Sequence, residues 1–129
     1  MSKNRIKATR DILSQAIMTE LKAYETEIMS RVEGASDKNA KKLKKILKET
    51  SPELTGDYKK GWRVKKVDRK TNIVHNATDW QLTHLLEEGH FINDGTHFVQ
   101  PIPHITPARD KIEKEFMSEV EEAIKKSGN

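Results

Sequence analysis

The stretch Ile73-Val-His-Asn-Ala-Thr-Asp-Trp-Gln-Leu-Thr-His-Leu-Leu-Glu-Glu-Gly89 changes its period part-way along, and that change sets the reading of the whole chain. Ile73 and Val74 are β-branched and open a short extended run. Thr78 then suits a helix N-cap, and Gln81 three residues on completes a capping box. Leu82, Leu85 and Leu86 fall on one helical face. Gly89 follows at once and suits the left-handed position just past a helix end. The stretch reads as strand, short capped helix, glycine stop.

Upstream, a basic strand leads into this unit. Gly61 to Val67 is predicted to be extended, with Trp62 and Val64 on one face and Arg63 and Lys65 on the other. Asp68 to Thr71 turns the chain, and Asn72 to Asn76 pairs antiparallel with the first strand. Two helices are predicted before it. The first spans about Asn4 to Val32. Its Ile6, Leu13, Ile17, Leu21, Tyr24, Ile28 and Val32 form one narrow stripe, which a partner helix or a neighbouring subunit can share. Gly34 ends that pattern. Ser36 and Asp37 cap a second helix to about Lys48, with Leu43, Ile46 and Leu47 as its apolar edge. Ser51-Pro52 breaks it, because the residue before proline is pushed out of the α region. Leu54-Thr55-Gly56-Asp57-Tyr58 reads as a turn or a short helical lead-in.

Downstream, Phe91-Ile92 and Phe98-Val99 flank an Asp94-Gly95 turn signal, which fits a hairpin or a mobile loop. Pro101 and Pro103 end any pairing. Thr106 is the predicted N-cap of a last helix, with Pro107 at the first position, where a missing N–H costs nothing. Ala108, Ile112, Phe116, Val120 and Ile124 repeat every four residues and predict a face that covers one side of the sheet. That helix ends near Gly128. The expected fold is α+β: a small antiparallel sheet packed against a long N-terminal helix and a C-terminal helix. One domain is expected over 1–129, with a helical part at 1–50, the sheet, short helix and loop at 51–106, and the last helix at 107–127.

Apolar residues make up 34% of the chain and charged ones another 34%, against about 45–50% (counting glycine) and about 25% in ordinary globular chains. So lean a core implies a fold that exposes much of its surface or is completed by partners. There is no cysteine, hence no disulfide and no thiolate metal site. No apolar run approaches membrane-spanning length, and none follows the basic N-terminus as a secretion signal would. The net charge of +4 is unevenly laid out. Residues 38–70 carry 13 basic and 4 acidic side chains, and residues 71–129 carry 5 and 10. A positive and a negative portion can attract nucleic acid, basic surfaces, or copies of the same chain head to tail. Lys41, Lys42, Lys44, Lys45 and Lys48 cover most of the second predicted helix. Like-charged neighbours there repel by a few tenths of a kcal/mol per pair. The cluster reads either as a contact surface or as a solvated lysine-rich face.

Reaction chemistry finds little support. His84, His90, His97 and His104 are scattered over helix, loop and proline turn, without the spacing of metal ligands on a helix. Glu87 and Glu88 beside His84 and His90 fit polar positions at a helix end better than an acid–base pair. No phosphate-binding glycine loop and no nucleophile elbow occurs. Trp62 and Trp80 read as core anchors, and with so few aromatics a base-stacking surface is poorly supported. No catalytic residue, metal ligand or cofactor is expected.

Three signals in order carry a resemblance. Pro52-Glu-Leu-Thr-Gly56 leads into a strand; Leu85-Leu86-Glu87-Glu88-Gly89 follows the second strand; Pro103-His-Ile-Thr-Pro-Ala108 precedes the last helix. Together they resemble the gene-product-ten-like family of tail-completion and head–tail joining components of long-tailed phages and prophages. Leu54, Thr55, Gly56, Tyr58, Glu87, Gly89, Pro103, Ile105, Pro107 and Ala108 match its motif positions. The chain departs from the pattern at His90, where threonine is usual, and at Trp80, where a tyrosine–alanine pair is common. The resemblance implies a non-enzymatic structural protein of the virion neck and tail, present in the host cytoplasm during assembly. It implies a homo-oligomeric ring around the DNA channel, with other neck and tail proteins as partners and no membrane. It marks the ten motif residues as fold-defining and the loop between Gly89 and Pro101 as a subunit contact. Whether the isolated chain is a monomer stays open. Two other readings stand beside it. A nucleic-acid-binding module would use the basic segment from Lys38 to Lys70, and a small metal-dependent enzyme would use the histidines.

Overall fold

The computed structural model describes residues 2–53, 56–92 and 94–127; the expectations at Leu54, Thr55 and Gly128 lie outside them. The elements in chain order are α1 (Ser2–Thr50), α2 (Asp57–Lys60), β1 (Trp62–Asp68), β2 (Thr71–Asn76), α3 (Leu82–Glu88), β3 (His90–Phe91), β4 (Phe98–Val99) and α4 (Ile105–Lys126). The expected α+β fold is the observed one.

The two predicted N-terminal helices are one. α1 runs unbroken through 49 residues, with Gly34 in its interior. A glycine inside a helix costs only about 1 kcal/mol relative to alanine, which neighbouring packing readily offsets. Ser36 and Asp37 do not cap; they point sideways. The Asn72 amide donates to Ser36 Oγ at 2.8 Å and to Asp37 Oδ1 at 2.9 Å, and Lys66 Nζ donates to Asp37 at 3.0 Å. Side chains that look like a helix start instead tie the β1–β2 hairpin along α1. The helix does end where Ser51-Pro52 predicts.

β1 and β2 pair antiparallel, Trp62 opposite Asn76 and Val64 opposite Val74, with an irregularity at Val67 before Asp68 meets Thr71. Trp62 is buried and Val64 half-buried, while Arg63 and Lys65 face solvent. The predicted alternation therefore holds. The second pair, β3 with β4, joins His90 to Val99 and Phe91 to Phe98 around Asp94-Gly95, so the hairpin alternative is the one adopted.

α4 lies antiparallel to α1. Tyr24 hydrogen-bonds the Ile124 carbonyl, Lys38 pairs with Glu119 at 3.0 Å, Lys42 with Glu115 at 2.5 Å, and Ala108 joins the core cluster beside Leu47. The expected cover of a sheet face by this helix is not what forms; α4 packs chiefly on α1, and an open groove separates its Ile112 and Phe116 from Val74 of β2. The reason lies in the period. A strict four-residue repeat drifts by about 40° per step around a helix of 3.6 residues per turn. Ala108 and Ile112 are buried, Phe116 and Val120 are half-buried, Ile124 is exposed, and Ala123 takes the buried place instead. The core is small: Leu47, Tyr58, Trp62 and Ala108, with Leu43, Ile46, Val74, Leu82, Leu86 and Ile105 packed around them.

Candidate assembly surface

Beneath the exposed surfaces sits a buried polar cluster that fixes α3, the β3–β4 hairpin and α4 to the core. Thr106 is not the cap of α4. Its N-terminus is capped from a distance by Glu87 at the end of α3, whose carboxylate accepts the backbone N–H groups of His104, Ile105 and Thr106. The next residue is Pro107, which has no N–H, so one carboxylate satisfies every free donor of that turn. Burial opposes the charge on Glu87, but these N–H bonds together outweigh it and hold the carboxyl below its ordinary value of 4.5.

His104 is 3% exposed. Its Nδ1 lies 2.8 Å from the Ile102 carbonyl and 3.0 Å from Glu87 Oε1, both acceptors, so Nδ1 carries a proton. Nε2 meets the Tyr58 hydroxyl at 2.6 Å. Burial, with the Glu87 charge added, pushes the Tyr58 phenol up to about 12, so its hydroxyl stays protonated against the ring. The Tyr58 ring packs edge-on to both Trp62 and His104. Trp62 Nε1 donates to Ser51 Oγ at 2.8 Å, which ties the end of α1 to the sheet. Asn76 is buried too. Its amide donates to the Tyr58 carbonyl at 2.7 Å, and its Oδ1 accepts the Asp79 N–H at 2.8 Å. Gly61 lets this happen: a Cβ there would stand 2.6 Å from Asn76 Oδ1 and 2.1 Å from Thr78 Oγ1. Thr78 is accordingly not the predicted cap of α3. Its hydroxyl donates to the Asp57 carbonyl, and α3 begins after Gln81 without a side-chain cap.

Of the motif positions, Tyr58, Glu87, Ile105 and Ala108 come together here. Gly56 precedes α2 at φ 95°, and Pro103 and Pro107 are exposed. Gly89 has φ 78° as expected, but ψ 172° carries the chain straight out into β3, not round a left-handed turn. A Cβ on it would meet the Val99 carbonyl at 2.6 Å. Sequence reasoning missed Asn76 and His104 as structural centres; the bracketing of His104 by Pro103 and Pro107 was the available sign.

Among the described residues, three open surfaces stand out. The first is the β3–β4 hairpin. Phe91 and Phe98 stack edge-on at 5.1 Å, yet Phe91 stays 64% exposed, with Ile92, Phe98, Val99 and Ile102 also exposed. Asp94 accepts the N–H groups of Thr96 and His97 and the His97 side chain; these bonds hold its carboxyl down at about 2. Trp80, expected in the core, is 64% exposed on the stretch before α3. The second is the N-terminal part of α1. Ile6, Leu13, Ile17 and Leu21, from the predicted stripe, are between 51% and 58% exposed. The third is basic. Lys42 and Lys38 are drawn into pairs with α4, and Lys66 and Arg69 into pairs with Glu33 of α1. Lys41, Lys44, Lys45 and Lys48 form no ion pair among the described residues.

Among the described residues no group of three or more histidine or acidic side chains converges as a metal site, and no helix is long and apolar enough to cross a membrane. The family described as "Bacteriophage HK97-gp10, putative tail-component" matches residues 15–95, more than half of the chain. No curated protein and no solved structure is significantly similar.

Proposed function

The chain belongs to this HK97-gp10-like family of phage tail components, and on that premise we propose that it completes the tail at its junction with the head, as one subunit of a ring. Membership places it in the virion with a structural role beside other tail proteins; the ring, the junction and the passage through the host cytoplasm are the finer reading. The observation that supports it most is the outward-facing stripe on α1. Four large apolar side chains held in solvent by a well-formed helix call for a partner surface. The protein works on this reading by assembly and not by catalysis, as one domain. Glu87, Gly89, Tyr58, Ile105 and Ala108 are its fold-defining residues, with Gly56, Pro103 and Pro107 setting chain direction around them.

The unpaired lysines Lys41, Lys44, Lys45 and Lys48 supply its basic contact surface, against DNA in the channel or an acidic neighbour. Single surface charges contribute little, so several must act together and salt should weaken them. Reversing these four to glutamate should leave the melting temperature close to wild type and stop tails from joining heads. Normal infectious particles from that variant would remove the basic face from the mechanism. The DNA-binding reading makes a separate forecast for the isolated protein: duplex affinity at low salt that falls steeply as salt rises.

A further inference from the structure

We propose that the N-terminal arm of α1 in one copy lies on the β3–β4 hairpin of the next, so that a single head-to-tail contact covers both apolar surfaces; the inference rests on the ring reading. Three observations carry it. First, the arm's stripe continues the face of α1 that α4 covers. α4 ends level with Tyr24, through the bond to the Ile124 carbonyl. Residues 2–23 then run on for about 33 Å at 1.5 Å per residue with the same face open. Ile6, Leu13, Ile17 and Leu21 extend the interface in which Tyr24, Ala35 and Asn39 already take part.

Second, the arm and the hairpin are at opposite ends of the molecule. The hairpin is fastened to α3, where the Ile102 N–H bonds the Leu86 carbonyl, and α3 packs where Leu47 ends the covered part of α1. Leu13 lies about 50 Å along the helix from Leu47. A chain cannot bring its own arm to its own hairpin, whereas a neighbour's hairpin can meet it. Two different surfaces at opposite ends make a heterologous contact, which closes into a ring when the rotation permits.

Third, the charges match. The arm carries Lys3, Arg5, Lys7 and Arg10 before its first acid, Asp11. From Thr71 to Ala108 there is no lysine or arginine, and the segment that carries the exposed Phe91 also carries Asp79, Glu88 and Asp94. An arm paired with another arm would leave the hairpin's apolar side chains uncovered and this acidic region without its counterpart.

The chain has no cysteine, so engineered pairs report cleanly. Leu13→Cys/Phe91→Cys is to be assembled into tails, oxidised, and run on a non-reducing gel beside each single variant and beside Leu13→Cys/Ile102→Cys. Both positions on each pair are exposed, and circular dichroism checks that the fold is kept. The expected result is a ladder of multimers from a double variant and monomer from the single ones. Dimers from Leu13→Cys alone would show arm against arm and overturn the proposal, as would monomer from both double variants. The copy number per tail, measured on wild-type particles, separates the two readings. A closed ring without the ladder sinks the arm–hairpin contact and leaves the ring; a single copy per tail sinks both.

Discussion

The two halves of α1 make an informative pair, because one helix and one apolar stripe have opposite fates. From Tyr24 to Thr50 the helix is flanked by α4 on one side and by the β1–β2 hairpin on another, and Leu47 is 2% exposed. Before Tyr24 the same stripe lies in water, and Leu13 is 58% exposed. The difference is not propensity, since both halves are helical. It is length: α4 has 22 residues and α1 has 49. A long amphipathic helix beside a short partner leaves a bare arm, whose helical state is nucleated by the covered half and not by packing of its own.

The sharpest way to break this comparison is to truncate the same residue type in each half. Leu47→Ala removes a fully enclosed side chain beside Tyr58 and Trp62 and should cost about 2–5 kcal/mol. Leu13→Ala in the isolated protein should stay within about 0.5 kcal/mol, as surface changes do. Denaturant midpoints measure both. If Leu13→Ala destabilised the purified chain by as much as Leu47→Ala, the arm would already be covered in solution, by another copy.

A second test concerns what holds the cover in place. Glu87 anchors the first turn of α4 against the covered half through three N–H groups. Glu87→Gln should cost about 0.5–2 kcal/mol near neutral pH, the range of a lost helix cap. The pH dependence identifies the cause. The folded carboxyl sits below its ordinary 4.5, so the cap's charge contributes fully above that value and is lost as pH falls through the lower, folded one. Melting temperatures of wild type and Glu87→Gln should therefore converge in acid. A constant gap down to the lowest pH would assign the loss to shape and not to charge.

How much of this was legible in sequence follows the same division. Elements set by local pattern were readable: the β1–β2 alternation around Trp62 and Val64, the Asp94-Gly95 hairpin, the stop at Ser51-Pro52 and the positive φ of Gly89. Features set by distant partners were not. Gly34, Ser36 and Asp37 carry every local sign of a helix break, yet Asn72 and Lys66 recruit the two polar side chains and the helix continues. Thr78 and Thr106 carry every sign of caps, yet Thr78 is claimed by Asp57 and the place of Thr106 is taken by Glu87 from another element. Trp80 reads as a core residue by type alone, and no local signal distinguishes it from Trp62. The stripe of α1 was correct as a pattern. Which part of it would be covered depended on where α4 stops, and a fixed four-residue repeat does not reveal that.

The smallest expected effect tests whether the cover is held by charge at all. Lys42 and Lys38 reach from α1 to Glu115 and Glu119, so part of the split between basic and acidic portions is settled within one chain. The hydrogen bond from Lys42, with its positive charge, holds the Glu115 carboxyl below its ordinary value. Both groups of each pair nevertheless keep contact with solvent, where screening leaves an ion pair little net worth. Lys42→Ala should change stability by less than about 1 kcal/mol, and that difference should shrink further in high salt. A loss well above this, insensitive to salt, would mean that the lysine stem packs α4 onto α1. The contrast between the halves of α1 would then owe as much to Lys38 and Lys42, which the arm lacks, as to the reach of α4.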